Sequence, residues 1–253
     1  MKMHVLSGGR LRMRKSTFLP EAERTETIDI PVACFLLRHP QGNVLFDTGC
    51  HPSVVTDAEA RWGGIAKLMV PIGAPGENVV NELQALGLTP DDIDVVVNSH
   101  FHSDHCGCNE YFRKSLVVCH ERELAAAKVP DADKQGYLSV DWNHAMPYQT
   151  IGGEHDLFGD GRVVLVPVPG HTPGTIAALV SLDRSGTFLL AADAVALQIH
   201  LERQSCPKNT WNVELATRSL GEISRIQAGG ATVICGHDPA QWETLRKGAN
   251  AYD

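Results

Sequence analysis

The stretch SHFHSDHCG, residues 99–107, contains three histidines and one aspartate within six consecutive positions. It follows a short run of valines, 95–97, which predicts a buried strand. The two-residue spacing of His100 and His102 directs both side chains to the same side of an extended segment. Imidazole and carboxylate groups are ligands that zinc and similar ions prefer. The stretch therefore predicts a metal site at the carboxyl end of a strand.

The composition of the chain favours one domain, 1–253, without a nucleic-acid or membrane partner. Hydrophobic residues make up 43% of the 253 residues, and the net charge is −8. Lys and Arg form no long cluster that would follow phosphates, and no apolar run is long enough to cross a membrane. The N-terminus lacks the apolar core of a secretion signal, and the seven cysteines are scattered. We therefore expect a cytoplasmic protein with reduced thiols.

Predicted strands alternate with predicted helices, which is typical of an α/β architecture. Apolar, β-branched runs predict strands at 30–39, 43–47, 95–97, 116–119, 163–168, 175–182, 187–191 and 231–235. Helical spacing predicts helices at 79–86, 121–128 and 213–226, and the segment 129–149 is predicted to be a long loop.

Residues with metal-ligand chemistry follow the ends of four of these strands. Because such strand ends converge on the ligand crevice of an α/β fold, we expect the side chains to meet. The candidate ligands are His100, His102, Asp104, His105, His171, Asp193 and His237. One four-coordinate ion cannot use seven ligands, whereas two ions that share Asp193 can, and two neighbouring metals are a known hydrolytic arrangement. The other histidines considered are expected to be ordinary surface or core residues: His4, His39, His51, His120 and His155.

The motif HFHSDH resembles the HxHxDH signature of the metallo-β-lactamase superfamily. The turn DTG at 47–49, the motif PGHTPG at 169–174, the Asp193 segment and GHD at 236–238 occur in the order of that family. Within the superfamily, four segments are most similar to the N-acyl-homoserine lactonases and to relatives that open other small lactones. These segments are IPVACFLLRHPQGNVLFDTG (30–49), RWGG (61–64), DIDVVVNSHFHSDHCG (92–107) and GHDPAQW (236–242).

The resemblance implies a four-layer αββα sandwich that carries two zinc ions, in preference to iron or manganese. It assigns His100, His102 and His171 to one zinc and Asp104, His105 and His237 to the other. Asp193 would bridge the ions, and Asp47 would orient a ligand. The implied reaction is attack of a hydroxide, held between the two ions, on the carbonyl of a small lactone. Asp104 would move the proton to the leaving oxygen.

The sequence departs from the lactonase pattern at two places. Those enzymes usually carry a tyrosine three residues after the bridging aspartate, where this chain has Ala196. His200 or Tyr137 would take over its contact with the substrate, or both are ordinary loop residues. Glycine is common where this chain has Cys108; together with Cys106 it is expected to be a small packed residue in preference to a metal ligand or redox thiol.

Two apolar segments, 52–76 and 129–149, are candidates for shaping a pocket for an acyl chain or a flat ring. The helical spacing of Ile65, Leu68 and Met69 instead favours a helix face that packs on the core or on a second subunit. The sequence leaves open whether the protein is a monomer or a homodimer.

Other functions on the same fold remain as alternatives. One is hydrolysis of a different lactone, such as a pyridine-fused ring, or of a thioester, as in glyoxalase II. A secreted β-lactamase is disfavoured because no export signal is present. A di-iron redox protein is disfavoured because all five motif histidines are present and the chain leaves no room for a flavin domain. A metal-binding module without catalysis is a third alternative.

Overall fold

The computed structural model describes residues 1–253, and two β-sheets form its centre. Twelve strands build the sheets: β1 (Lys2–Arg14), β2 (Thr27–His39), β3 (Gly42–Phe46), β4 (Val70–Pro71), β5 (Val95–Val97), β6 (Leu116–His120), β7 (Tyr148–Ile151), β8 (His155–Asp156), β9 (Val163–Pro167), β10 (Ile176–Leu182), β11 (Gly186–Leu190) and β12 (Thr232–Ile234).

Nine α-helices connect or flank the strands: α1 (Lys15–Phe18), α2 (Val54–Trp62), α3 (Val79–Ala85), α4 (Ser103–Cys106), α5 (Glu121–Ala127), α6 (Ser139–Trp142), α7 (Gln198–Arg203), α8 (Val213–Ala228) and α9 (Pro239–Thr244). Short 3₁₀ helices cover Gly63–Lys67, Pro90–Asp92, Asn109–Tyr111, Ala132–Gln135 and Ala192–Val195.

The two sheets differ in strand direction along their width. The seven-stranded sheet has the order β4-β1-β2-β3-β5-β6-β7, and its β3, β5, β6 and β7 are parallel neighbours. The five-stranded sheet has the order β12-β11-β10-β9-β8, with β12 parallel to β11 and the other pairs antiparallel. Parallel pairs need crossover connections, which the helices between these strands supply. Several strands therefore end at a common edge.

The buried apolar residues separate into layers. The largest cluster, which includes Leu37, Phe46 and Leu190, lies between the sheets and takes residues from both. A second cluster joins Leu83 of α3 to the outer face of the first sheet. A third joins Ile223 of α8 to the outer face of the second sheet. Each fully buried Leu, Ile or Phe side chain contributes about 1.5–3 kcal/mol by leaving water. The layers run helix, sheet, sheet, helix, which confirms the predicted αββα sandwich.

Helix α8 shows how the sequence sets an outer layer. It begins at Asn212, whose side chain accepts a hydrogen bond from the Leu215 amide, and its buried face includes Ala216, Leu220 and Ile223. The helix is 16 residues long with a polar outer face. No helix of the protein combines the length and the apolar character that crossing a bilayer requires.

Most predicted elements are confirmed to within a few residues, but the strands β1, β4, β7 and β8 were missed. Strand β1 carries a register shift between Ser7 and Arg10, because Gly8-Gly9 interrupts its alternation. Gly8 packs so tightly against Gly49 that a Cβ on Gly49 would lie 2.4 Å from the Gly8 Cα atom. The predicted loop 129–149 is wrong in part, since it contains α6 and the start of β7.

Candidate metal centre

The seven predicted ligand residues meet at one edge of the two sheets. His100 follows β5 closely, and His171, Asp193 and His237 come shortly after β9, β11 and β12, respectively. Six of the seven side chains are buried, and His102 is half-buried. The convergence depends on both sheets, since residues 100–105 follow a strand of the first sheet and the later ligands follow strands of the second.

Three imidazoles, His100, His102 and His171, form what we call the first trio. The Nε2 atoms of His100 and His171 lie 3.1 and 3.0 Å from Nδ1 of His102. His102 Nε2 lies 3.1 Å from the Gln135 carbonyl oxygen. If Nε2 donates its proton to that oxygen, Nδ1 is unprotonated and its lone pair points toward the Nε2 atoms of His100 and His171. Burial lowers the pKa of all three imidazoles, that of His171 to about 3. The three imidazoles are therefore neutral, and their neighbouring ring nitrogens can act as metal ligands.

Asp104, His105 and His237 form the second trio. Asp104 Oδ2 lies 3.6 Å from His105 Nε2 and 3.5 Å from His237 Nε2. The opposite nitrogens are held by acceptors: His105 Nδ1 lies 2.8 Å from Asp47 Oδ2, and His237 Nδ1 lies 2.9 Å from the Pro31 carbonyl oxygen. Burial lowers the pKa of both imidazoles, but the surrounding carboxylates outweigh it and raise both pKa values above the ordinary range. This corner of the site attracts positive charge.

Asp193 lies between the two trios. Its Oδ1 atom is 3.2 Å from His105 Nε2 and 3.0 Å from His237 Nε2, whereas Oδ2 is 3.3 Å from His171 Nε2. Burial acts to raise the pKa of this carboxyl, but the nearby histidines hold it well below its usual range. One carboxylate oxygen thus faces each trio, which is the arrangement that a bridging ligand needs.

Unsatisfied buried atoms show that the residues fit metal ions. His105 Nε2 and Asp193 Oδ1 are buried at the site without a hydrogen bond of acceptable geometry. Buried polar atoms normally have partners, so such a concentration at one place calls for one. The ligand atoms form three groupings whose members lie within 4.8 Å of one another: His100, His102 and His171; His100, His105 and Asp193; and Asp104, His105 and His237. Five imidazoles and two carboxylates suit two zinc-like ions.

A cavity of about 590 Å³ opens above the first trio. His102 and His171 line the part that we call its floor, and the other lining residues are both apolar and polar, among them Arg14, Lys134 and Lys208. The wall residues include Met13, Ile65, Leu68, Met69 and Trp211. Leu68 is 59% exposed at the cavity, so of the two expected placements, on the core or on a second subunit, the one on the core is wrong for this residue. Ile65 and Met69 line the cavity and also pack against a core cluster.

Similarity to known proteins establishes the family. The family model described as the metallo-beta-lactamase superfamily matches residues 27–237. The chain belongs to the metallo-β-lactamase superfamily. The N-acyl homoserine lactonase AttM of Azorhizobium caulinodans is 31% identical over 260 residues, which cover 100% of this chain and 99% of AttM. The N-acyl homoserine lactonase AiiB of Agrobacterium fabrum is 31% identical and covers 99% of this chain and 98% of its own.

A solved structure of another superfamily member matches the fold closely. It is an N-acyl homoserine lactone hydrolase with the product N-hexanoyl-L-homoserine bound at its catalytic metal centre. The TM-score is 0.90 at 25% identity, and the match covers 99% of this chain and 98% of that one.

The two residues suggested as replacements for the lactonase tyrosine have different surroundings. His200 is buried and does not line the cavity. Its Nδ1 accepts from the Leu197 amide at 3.2 Å and its Nε2 donates to the Phe18 carbonyl at 2.9 Å, so neither nitrogen is free for a substrate. The structure therefore gives His200 a structural role. Tyr137 does line the cavity, with its ring centroid 5.6 Å from that of His102.

The cysteines of this superfamily member stay outside the ligand groupings. Cys106 and Cys108 are fully buried, and burial raises the pKa of both thiols. Cys106 Sγ donates to the His102 carbonyl and Cys108 Sγ donates to the Cys50 carbonyl. These contacts are those of small packed residues.

Sequence reasoning missed Glu123, a fully buried carboxylate close to the site. It lies on α5, inside the predicted helix 121–128, and belongs to no motif. An acidic residue on the inner face of this short helix was the only available signal.

Proposed function

We propose that this protein is a metal-dependent lactonase that opens N-acyl homoserine lactones. The observation that carries the proposal is Asp193, whose two oxygens face two separate trios of ligands beside an apolar cavity. The relatives named as N-acyl homoserine lactonases, and the solved relative with a homoserine product at its metal centre, support the same substrate class.

We propose two zinc ions as the resident metals. His100, His102 and His171 would hold one ion, Asp104, His105 and His237 the other, and Asp193 would contact both. Zinc, when bound, polarises an ester carbonyl and makes water a nucleophile at neutral pH. The all-imidazole first trio with a mixed second trio suits zinc's preference for nitrogen and carboxylate ligands.

The residues of the chain supply positioning and proton transfer. The walls formed by Ile65, Leu68 and Trp211 bind the acyl chain and keep water away from it, while the floor places the ring at His102 and His171. In the reaction, water adds to the lactone carbonyl carbon, and the bond from that carbon to the ring oxygen breaks. Asp104 accepts the proton of the attacking water at its carboxylate and returns it to the leaving ring oxygen. The products are one carboxylate and one hydroxyl on the same molecule, with one proton released.

Tyr137 stays a candidate for orienting the substrate. Its ring lies at the cavity next to His102, and its buried hydroxyl has no hydrogen-bond partner. His200 is not assigned to the substrate, because backbone groups use both of its nitrogens.

The proposal is tested with a pH-stat assay, which follows proton release from any lactone. Purified protein is stripped with a chelator, restored with zinc and assayed on homoserine lactones of graded acyl length, a pyridine-fused lactone and a thioester. We expect turnover of the homoserine lactones, loss of turnover on chelation, and recovery with about two zinc ions per chain. A protein that hydrolyses only the thioester or only the fused ring contradicts the proposed substrate.

Two matched aspartate variants distinguish a role in the site from the general effect of removing one negative charge. Asp193→Asn removes the carboxylate between the trios and is expected to abolish turnover. Asp29→Asn breaks an exposed ion pair with Arg12 and is expected to leave turnover unchanged.

A further inference from the structure

Glu123 is a buried carboxylate that neither ligand trio uses. Its side chain is fully buried on α5, and no Lys, Arg or His pairs with it. Burying a carboxylate is costly unless hydrogen-bond donors surround it. The surrounding donors therefore show what this residue holds in place.

Three donors from two distant loops reach the Glu123 carboxylate. Oε1 accepts from the Phe101 amide at 3.0 Å. Oε2 accepts from the Thr172 hydroxyl at 2.7 Å and from the Gly174 amide at 3.0 Å. All three partners donate to it, which is the set of contacts that an ionised carboxylate can accept. Burial raises its pKa, and these hydrogen bonds oppose that rise.

The positions of these donors connect Glu123 to the first trio. Phe101 stands between His100 and His102, and Thr172 directly follows His171. One carboxylate thus fixes the backbone next to all three imidazoles, although the two loops are far apart in sequence. A Cβ on Gly174 would lie 2.4 Å from the Glu123 amide nitrogen, so a glycine is needed for this close approach.

The two trios also differ in their nearby negative charge. The second trio contains Asp104, and Asp47 contacts its His105 directly. The first trio contains only imidazoles, and besides the shared Asp193 the carboxylate held against its backbone is that of Glu123. A buried anion favours a nearby cation because few water molecules screen their attraction.

We propose that Glu123 is a positioning residue for the cation of the first trio. It holds the His100–His102 segment against the His171 loop and places a negative charge behind them. This inference rests on the metal centre of the proposed function, but it does not depend on which substrate is hydrolysed.

The test uses Glu123→Gln in the full-length protein. The variant keeps the size of the side chain but loses the charge, and its amide nitrogen faces groups that are themselves donors. Zinc affinity is measured by competition with a chromophoric chelator, and the absorption bands of the cobalt-loaded protein report the geometry at each ion. We expect one of the two ions to bind about 10–100-fold more weakly, as is typical when a partner of a metal ligand is removed. The second ion should change little.

Metal affinity distinguishes positioning from a general contribution to folding. Leu83→Ala is the control, because it opens a buried cluster on α3 without touching either ligand loop. It should lower the melting temperature of the metal-free protein and leave zinc affinity unchanged. If Glu123→Gln does the same, or binds both ions with wild-type affinity, the inference is wrong.

A second variant keeps the test decisive if Glu123→Gln does not fold. Thr172→Val removes one donor to the carboxylate at nearly constant volume and should weaken the same ion to a smaller extent. Wild-type affinity for both ions in this variant would overturn the inference. Because the readout is zinc binding, a protein that binds two ions but opens no lactone would contradict the proposed function and not this one.

Discussion

Asp47 and His105 form a buried contact in which the carboxylate Oδ2 lies 2.8 Å from the imidazole Nδ1. Asp47 is itself fixed by Ser99, whose amide and hydroxyl both donate to it at 2.7 Å. It adopts a left-handed backbone with φ of 60°, a conformation that aspartate and asparagine tolerate better than most residues. The contact sets the tautomer of His105, so that Nε2 faces Asp104 and Asp193.

Replacing Asp47 with asparagine should weaken the metal site without disturbing the turn. Asn accepts the same backbone conformation but lacks the charge that holds the Nδ1 proton. We expect about 10–100-fold weaker binding of one zinc ion, a change typical for a group that orients a ligand. Competition with a chelator measures it. If this variant and Glu123→Gln weaken different ions, each carboxylate acts on its own trio; unchanged zinc affinity in Asp47→Asn would contradict the role of Asp47.

Zinc binding should release protons near neutral pH. Carboxylates raise the pKa of His105 and His237. In the metal-free protein these imidazoles therefore stay protonated at pH values above the ordinary pKa of histidine. A metal ion needs both nitrogens deprotonated, so its apparent affinity rises with pH until those protons are lost. Calorimetry at pH 7 in buffers of different ionisation enthalpy measures the number released. A heat that is the same in every buffer would show that no proton leaves.

Removal of zinc should lower the melting temperature. Free zinc at 100 times its dissociation constant adds about 2.7 kcal/mol to the free energy of unfolding. For a chain of this size, that corresponds to roughly 5–10 °C at about 2–4 °C per kcal/mol. Differential scanning fluorimetry with chelator and with added zinc measures the shift. Magnesium, which prefers oxygen ligands, is the control and should not restore the loss.

Shortening Leu68 should affect long acyl chains more than short ones. Its side chain is 59% exposed at the cavity, so the acyl chain of a bound substrate would cover it. For Leu68→Ala we expect a loss of about 1 kcal/mol in binding a long chain, or roughly a fivefold higher KM, because less apolar surface is buried. Val140→Ala, exposed outside the cavity, is the control. Equal effects on short and long chains would contradict this role for the wall.

Restoring a tyrosine at position 196 should destabilise the protein instead of improving it. Ala196 is 1% exposed and belongs to an apolar cluster that includes Phe18 and Trp62. Inserting a large ring into such a core costs about 1–3 kcal/mol. Chemical denaturation of Ala196→Tyr measures the cost, with the exposed Ala125→Tyr as control. A variant of unchanged stability and higher kcat would show that the site has room for the lactonase tyrosine.

The strands and the ligands could be predicted because they follow local rules, whereas the αββα layers were predicted from the resemblance to the metallo-β-lactamase superfamily. The valine run 95–97 is apolar enough to predict β5, and His100 follows it within three residues. Strand β1 escaped prediction since Gly8-Gly9 breaks the alternation that marks a strand. The glycines matter only because Gly49 approaches from a distant turn, and such long-range proximity leaves no local pattern.

For the site as well, residues in local motifs could be predicted, and contacts between distant parts of the chain could not. The ligands could be named from motifs, and the structure brings all seven together. The role of Glu123 could not be predicted, because its partners Phe101 and Thr172 become neighbours only after folding. The surroundings of His200 could not be predicted for a similar reason: its hydrogen bond to Phe18 spans 182 positions of the chain.

The ligands come from both sheets, with residues 100–105 in the earlier half of the chain and His171, Asp193 and His237 in the later half. Metal ions bound there cross-link the two halves, so their supply governs the survival of the polypeptide as well as its chemistry. In a cell starved of transition metals, newly made copies would open more often and be degraded by proteases. Metal scarcity would then reduce the abundance of the protein as well as its specific activity.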